Sequence, residues 1–426
     1  MTVFPLGPGA RLIAVPDDRF QTVRVSAHFA VPLGGNAAEN ALVPRLLARG
    51  CAEYPDFTRF SRKLAMLYGA SVYGASQTVG ETQVLTVALA TIDDRFAPDG
   101  EPVFAEGMRL LCAMLFDPAL ENGAFRAEDV AEEKRGLAEE IRAEFNDKRV
   151  YALHRCRAEM CRGEPYALDR QGTAAQAEAI TPAAATAAWR RLCRTGALTV
   201  IAVGRFDADA VAAPLRAALA QMPRDPVALH PAVRRAAPDA MESVTERTGA
   251  QQTKLVLGFR TPCAEPYEDT MPMRMAAVAF GATPVSRLFR NVREKQGLCY
   301  YCTAHYDFNK GVMLVDCGVD EARAHAARAE ILRQFDRMQA DGLTDEELEN
   351  ARRAVLDSVG SVSDSPAMLA GWYLSQLPND CLHTPEEAAA RVRAVTAEEC
   401  ATAFASLRPA ICYQLSGPEC AKEADE

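Results

Sequence analysis

The sequence predicts an α+β protein made of one domain repeated twice, each half a mixed sheet covered by helices. Three observations predict this. The chain has 426 residues, too many for one ordinary hydrophobic core. Strand-like segments that alternate apolar and polar residues are interleaved with segments whose apolar residues recur at i, i+3, i+4, i+7. The order of these segments before a proline-rich stretch returns after it. That stretch carries Pro223, Pro226, Pro231 and Pro238 with Arg234 and Arg235, a composition expected of a linker. The expected division is an N-terminal domain over 1–222, a linker over 223–242 and a C-terminal domain over 243–426.

Taken in order, residues 11–33 read as a strand pair broken by Gly34, Gly35 and Asn36. Helices are expected over 40–49, where Pro44 must begin or disturb the helix, and over 57–68. Residues 71–91 read as two strands; 101–115 and 126–146 read as helices, the second long and charged. A strand at 197–203 lies between helices at 181–193 and 207–222. Beyond the linker, strand 254–261, helices 271–280 and 285–296, and strands 299–306 and 312–319 repeat the earlier order. Helices at 322–338, 344–359 and 384–407 and a strand at 411–415 complete the chain.

Composition narrows the function classes. Forty-seven Lys and Arg against 57 Asp and Glu give a net charge of −10. Phosphate neutralisation needs clustered cations, so a nucleic-acid surface is not expected. No apolar run approaches about 18 residues, so no membrane span is expected. The residues MTVFPLGPGARLIAVPDDR lack a basic segment followed by an apolar one, so no signal peptide is expected, and a cytoplasmic location is the default. The 13 cysteines are odd in number and show no framework. Cys299 and Cys302 form a C-x-x-C, but on a strand residues three apart point to opposite faces, which argues against a shared metal or redox role.

The most informative stretch is TPVSRLFRNVREKQGLCYYCTAHY, 283–306. Thr283 suits an N-cap and Pro284 a first helical position. Val285, Leu288, Phe289 and Val292 form an apolar stripe, and Gly297 supplies a left-handed stop. Arg293 lies at the border of the stripe and Tyr300 three residues past the stop, so both can face one cleft.

SRLFRNVREKQGLCY resembles the S-R-L-F-x-x-V-R-E-K-x-G-L-x-Y block of the M16 (insulinase/pitrilysin-type) zinc peptidases, and the similarity runs over the whole chain. The resemblance implies two α+β halves facing a central cavity, with Arg293 and Tyr300 binding substrate peptide. Within the family, the nearest likeness is to the bacterial YmfF-like group.

Active M16 enzymes carry H-x-x-E-H on a helix of the first half. Two imidazoles at i and i+4 hold Zn²⁺, the glutamate between them acts as base, and a distant glutamate completes the ligand set. Anchored on Ala48, Arg49 and Gly50, the five motif positions here fall on Ala41, Leu42, Val43, Pro44 and Arg45. Alanine has no donor atom, proline no carboxylate, and arginine repels a dication. None of the six histidines lies in an H-x-x-E-H or H-x-x-x-H. EEKRGLAEEI matches the helix of the distal ligand and places Glu133 and Glu140 seven apart on one face. Read alone, they are solvated charges among Glu132, Glu139 and Glu144.

The resemblance therefore implies a pseudo-peptidase, inactive alone and holding no metal or other cofactor, with zinc expected only in a partner subunit. That partner would be a catalytic M16 homologue with intact H-x-x-E-H, and the pair would bind peptide. The alternatives are a structural or peptide-binding homologue with no hydrolytic partner, and a self-sufficient peptidase with another nucleophile.

Overall fold

The computed structural model describes residues 1–380 and 382–417; the end of the expected C-terminal domain, 418–426, lies outside the described residues. The chain divides into two compact units. Unit 1 comprises Met1–Arg142, Leu168–His230 and Ser361–Pro385. Unit 2 comprises Ala143–Ala167, Pro231–Gly360 and the described residues from Glu386 onward.

The strands of the first unit are β1 (Thr2–Gly7), β2 (Ala10–Pro16), β3 (Thr22–Pro32), β4 (Ser71–Val79), β5 (Thr82–Ile92), a small hairpin β6 (Leu120–Glu121) and β7 (Ala124–Phe125), and β8 (Ala197–Gly204). Those of the second are β9 (Glu242–Arg247), β10 (Thr253–Arg260), β11 (Tyr301–Asp307), β12 (Val312–Val319) and β13 (Arg408–Ser416). The main sheets run β1-β2-β8-β3-β5-β4 and β11-β12-β10-β13-β9. Each contains one parallel pair, β2 with β8 and β13 with β9, among antiparallel neighbours. Read from the β4 and β11 edges, the two orders coincide, apart from the extra β1 of unit 1. The predicted repeat is thus present as repeated topology. Strands β1 and β9 were not legible as strands: β1 is a partly exposed edge, and β9 is a polar ESVTER ladder.

The helices are α1 (Ala37–Leu47), α2 (Phe57–Met66), α3 (Val103–Phe116), α4 (Ala127–Glu144), α5 (Lys148–Met160), α6 (Ala174–Ala179), α7 (Pro182–Thr195), α8 (Ala208–Ala220), α9 (Met271–Ala277), α10 (Ala324–Asp341), α11 (Asp345–Ser361), α12 (Pro366–Leu374), α13 (Pro385–Ala394) and α14 (Ala397–Ala405). None among the described residues is long and apolar enough to cross a membrane.

Strand β8 shows why each sheet needs cover on both faces. Leu198, Val200 and Ala202 enter the core formed with α1, α3, α7 and α8, while Ile201 and Val203 point the other way. There they meet Leu369, Ala370, Tyr373 and Leu374 of α12, a helix from the second half of the sequence. Unit 2 is covered reciprocally. Ala152 and Cys156 of α5, from the first half, pack on Val256, Ile411, Tyr413 and Leu415. On its other side Phe259, Phe280, Phe335 and Phe404 form an aromatic cluster. The linear division at 223–242 does not carry these two exchanged segments. Neither α5 nor α12 is among the helices expected from the sequence.

Helix α1 runs through Pro44 to Leu47, so the proline neither begins nor ends it. Beside it, the Pro44 carbonyl lies so close to Gly74 of β4 that a Cβ there would stand 2.0 Å from the oxygen. Only glycine allows this approach of helix to sheet. The predicted helix 384–407 is two helices, α13 and α14. The break falls where Thr396 and Glu399 form a capping box.

Candidate functional site

Helix α4 presents Asp129, Glu133 and Glu140 at spacings of four and seven, one face of a 3.6-residue helix. Opposite them lie Arg45 on α1 and Arg49 just past its end. Arg45 Nε donates to Glu133 Oε2 at 2.9 Å and its Nη1 to Glu140 Oε1 at 2.8 Å. Arg49 donates to Glu133 Oε1 at 2.8 Å, Asp129 Oδ1 at 3.0 Å and Glu132 Oε2 at 2.8 Å. Both Glu133 oxygens are therefore engaged by guanidinium donors. Glu133 is only 16% exposed, whereas Glu140 is 52% exposed and also accepts from Gln171 Nε2 at 3.2 Å. Burial works against the charge of each arginine. The hydrogen bonds to Glu140 and Glu133 for Arg45, and to Glu133 for Arg49, outweigh it and hold both pKa values above the ordinary one. Reading Glu133 and Glu140 as plain solvated charges is thus corrected: Glu133 is a shared, largely buried acceptor, and Glu140 is bound at its tip.

These residues do not fit a zinc ion. Ala41 is buried and donorless, Pro44 is buried without a carboxylate, and Arg45 brings a permanent positive charge to the carboxylates. A guanidinium already pairs with the carboxylates of α4 at this position.

The second candidate region lies in unit 2. A four-residue turn comes first, in which Ser286 N and Oγ both donate to the Thr283 carbonyl, Oγ at 2.6 Å. Thr283 is therefore not the N-cap. The helix begins after Ser286 and widens to a π-type turn over Phe289–Lys295. Such widened turns recur at functional sites. Gly297 has φ +60°, the left-handed stop the sequence predicted. Arg287 is clamped by Glu347 at 2.5 and 2.7 Å and donates to the Gly342 carbonyl at 2.6 Å. This arginine was passed over in the sequence, since a charged residue at a helix start gives no local sign of its partner 60 positions away.

Arg293 lies on the last turn, 41% exposed, with Glu294 at 3.6 Å and its guanidinium 4.5 Å from the Phe289 ring centroid. Tyr300 falls just before β11, 59% exposed, and donates to Asp320 Oδ1 at 3.0 Å. The hydrogen bond to Asp320 pushes the phenol pKa up, so the group stays protonated and able to donate. Both residues sit on unit 2, on either side of the Gly297 stop, with their polar ends in solvent.

One Ser–His pair is present in unit 1. His28 lies 2.9 Å from Ser26 Oγ and 2.8 Å from Thr86 Oγ1. Burial pushes His28 down to about 3, and both Ser26 and His28 are closed to solvent, so the pair is a satisfied core network.

With this geometry in place, comparison with known proteins is informative. A family model described as Peptidase M16 inactive domain matches residues 179–355. A relative named "Probable inactive metalloprotease YmfF", from Bacillus subtilis, is 27% identical over 408 residues, covering 95% of each chain. A solved structure of a conserved protein from Enterococcus faecalis superposes with a TM-score of 0.90 at 24% identity over 98% of each chain. A peptidase M16 inactive domain from Pseudomonas fluorescens gives a TM-score of 0.78 at 19% identity over 99% of each. The two solved structures speak to the fold.

Proposed function

We propose that this chain, which is similar to inactive-site M16 peptidases, is the non-catalytic subunit of a heterodimeric zinc peptidase. It would contribute peptide binding and help form the chamber, while a catalytic homologue with intact H-x-x-E-H supplies the metal. One contrast carries this reading. The metal position of unit 1 is filled by arginine–carboxylate pairs, while the Arg293/Tyr300 block of unit 2 keeps its polar groups in solvent.

The two side chains suit the role chemically. The planar fork of Arg293 can hold a substrate carbonyl or terminal carboxylate with two hydrogen bonds. The Tyr300 phenol, kept protonated beside Asp320, can exchange that acceptor for the carbonyl oxygen that gains charge during hydrolysis. Neither needs a metal in its own subunit. A cytoplasmic site of action and a peptide ligand belong to the same proposal.

The test is affinity capture of the tagged chain from its source cells with intact mass of what co-purifies. A near-stoichiometric chain of similar size bearing H-x-x-E-H is expected. In the reassembled pair, Arg293→Ala should lower peptide turnover while assembly persists. Recovery of the chain alone, or turnover untouched by the substitution, rejects the proposal.

A further inference from the structure

One end of the unit 2 sheet opens into a cavity of about 690 Å³. Arg260 closes β10 and Arg408 begins β13, and the two are partners in register at that end. The proline-rich stretch runs along the same opening and adds Arg234 and Arg235. The wall therefore holds four guanidiniums, and no aspartate or glutamate among the described residues lines it. The rest of the wall is mostly apolar, with the Thr261 and Ser406 hydroxyls 2.5 Å apart within it.

Three of these arginines are held by backbone and not by carboxylates. Arg234 Nη1 donates to the Pro262 carbonyl at 2.7 Å, and its guanidinium lies 4.0 Å from the Tyr267 ring centroid. Arg235 Nη2 donates to the Gly163 carbonyl at 3.1 Å. Arg408 Nη1 donates to the Ala405 and Leu407 carbonyls at 2.6 and 2.7 Å. A carbonyl orients a guanidinium without cancelling its charge, and each fork keeps further N–H donors unspent. Arg45, Arg49 and Arg287, by contrast, end on carboxylates. The fourth, Arg260, is 6% exposed and donates to Glu164 Oε1 and the Met160 carbonyl, both at 2.6 Å. Glu164 is buried as well and also accepts from Lys310 Nζ at 2.6 Å, so two cations share its charge. Glu164 and Glu242 line a smaller neighbouring hollow of about 190 Å³. In a chain of net charge −10, the larger cavity gathers positive charge that no carboxylate in its wall offsets.

We propose that this cavity binds the polyphosphate group of a small organic phosphate. Guanidinium forks match phosphate oxygens two at a time, and several forks around one hollow favour a ligand with several adjacent charges over a single anion. The volume exceeds what a lone phosphate fills, which leaves the apolar wall for the organic part. The site stands apart from the proposed peptide-binding block. Arg260 pairs with Val312 at one end of β12, whereas Tyr300 N donates to the Gly318 carbonyl at the other.

The full-length protein is titrated by calorimetry with ATP, AMP and inorganic tripolyphosphate, at low ionic strength, with a chelator and no magnesium. One-to-one binding of ATP is expected, at least about tenfold tighter than that of AMP, because the longer phosphate chain engages more guanidiniums. Tripolyphosphate should compete with ATP. Arg235→Gln and Arg408→Gln remove exposed guanidiniums that pair with no carboxylate, so the fold should persist, and each should weaken ATP binding at least about fivefold. Arg353→Gln removes an exposed arginine of unit 2 that pairs with Glu349 on α11, outside the cavity wall, and should leave the affinity unchanged. No saturable binding of ATP, equal affinity for ATP and AMP, or affinity untouched by both cavity substitutions would each overturn the proposal. A glutamate-rich peptide that displaces ATP and binds more tightly than it does would also overturn it, making the cavity an acidic-peptide groove.

Discussion

The α1–α4 surface of unit 1 and the Gly297 turn of unit 2 are both rich in charge, yet they differ in what that charge can still do. On the first, two guanidiniums and four carboxylates bind one another, and Glu133 has both oxygens engaged. On the second, Arg287 is clamped by Glu347, whereas Arg293 and Tyr300 remain largely exposed, Tyr300 with a single hydrogen bond to Asp320. A set of charges that satisfies itself holds elements together, and binding a ligand there would mean giving up those bonds. Charges held in place by a neighbour but not consumed by it remain available. The first region acts as scaffold, and the second keeps the exposed polar groups that the proposed peptide-binding role needs.

This contrast predicts an ordered series of effects on the whole chain. Glu133→Ala leaves two partly buried arginines short of their common acceptor and should cost the most, about 3 kcal/mol, measured by thermal and urea unfolding. A loss near zero would mean that the arginine pairs do not hold the region. Glu347→Ala should cost somewhat less, about 2 kcal/mol, because it strips the clamp from Arg287.

Glu347 also gives a pH signature. Burial raises its pKa, but hydrogen bonds from Arg287 and Thr344 overcome this and leave it below the ordinary glutamate value. A carboxylate lowered on folding adds stability that is present above its unfolded pKa of about 4.3 and is lost as pH falls through the folded value. Stability of the parent chain should therefore fall more steeply below about pH 4.3 than that of Glu347→Gln. Equal slopes would remove the clamp from the account. Arg45→Met should cost only about 1 kcal/mol, since Glu133 keeps Arg49 and Glu140 is half in water. At the small end, Arg293→Ala and Tyr300→Phe should each change stability by less than about 0.5 kcal/mol. A larger change would make them scaffold after all.

What the sequence revealed and what it hid divide along physical lines. The repeat, the Gly297 stop and the loss of donors at Ala41, Pro44 and Arg45 are written in residue types and short spacings. They follow from rules that act within a few positions. The partners of Arg45 and Arg49 lie 80 to 95 positions away, and no local pattern marks them. The widened turn at 289–295 keeps the apolar spacing of an ordinary helix and differs only in hydrogen-bond register. The strand after Gly297 begins at Tyr301, two residues later than the aromatic content of the segment suggests, so Cys299 lies before it.

The exchange of α5 and α12 between the units has a consequence for biosynthesis. Unit 1 lacks one covering of its sheet until residue 385 has left the ribosome, long after its own strands have emerged. Meanwhile α5 emerges far ahead of the strands it will cover. Neither half can mature as it is translated, so both nascent halves expose apolar sheet or helix surface while synthesis continues. A chain severed in the proline-rich stretch would yield two fragments, each missing a helix that the other carries. Such fragments should be insoluble apart and recover structure when co-expressed, which is the behaviour of mutual complementation rather than of two independent modules.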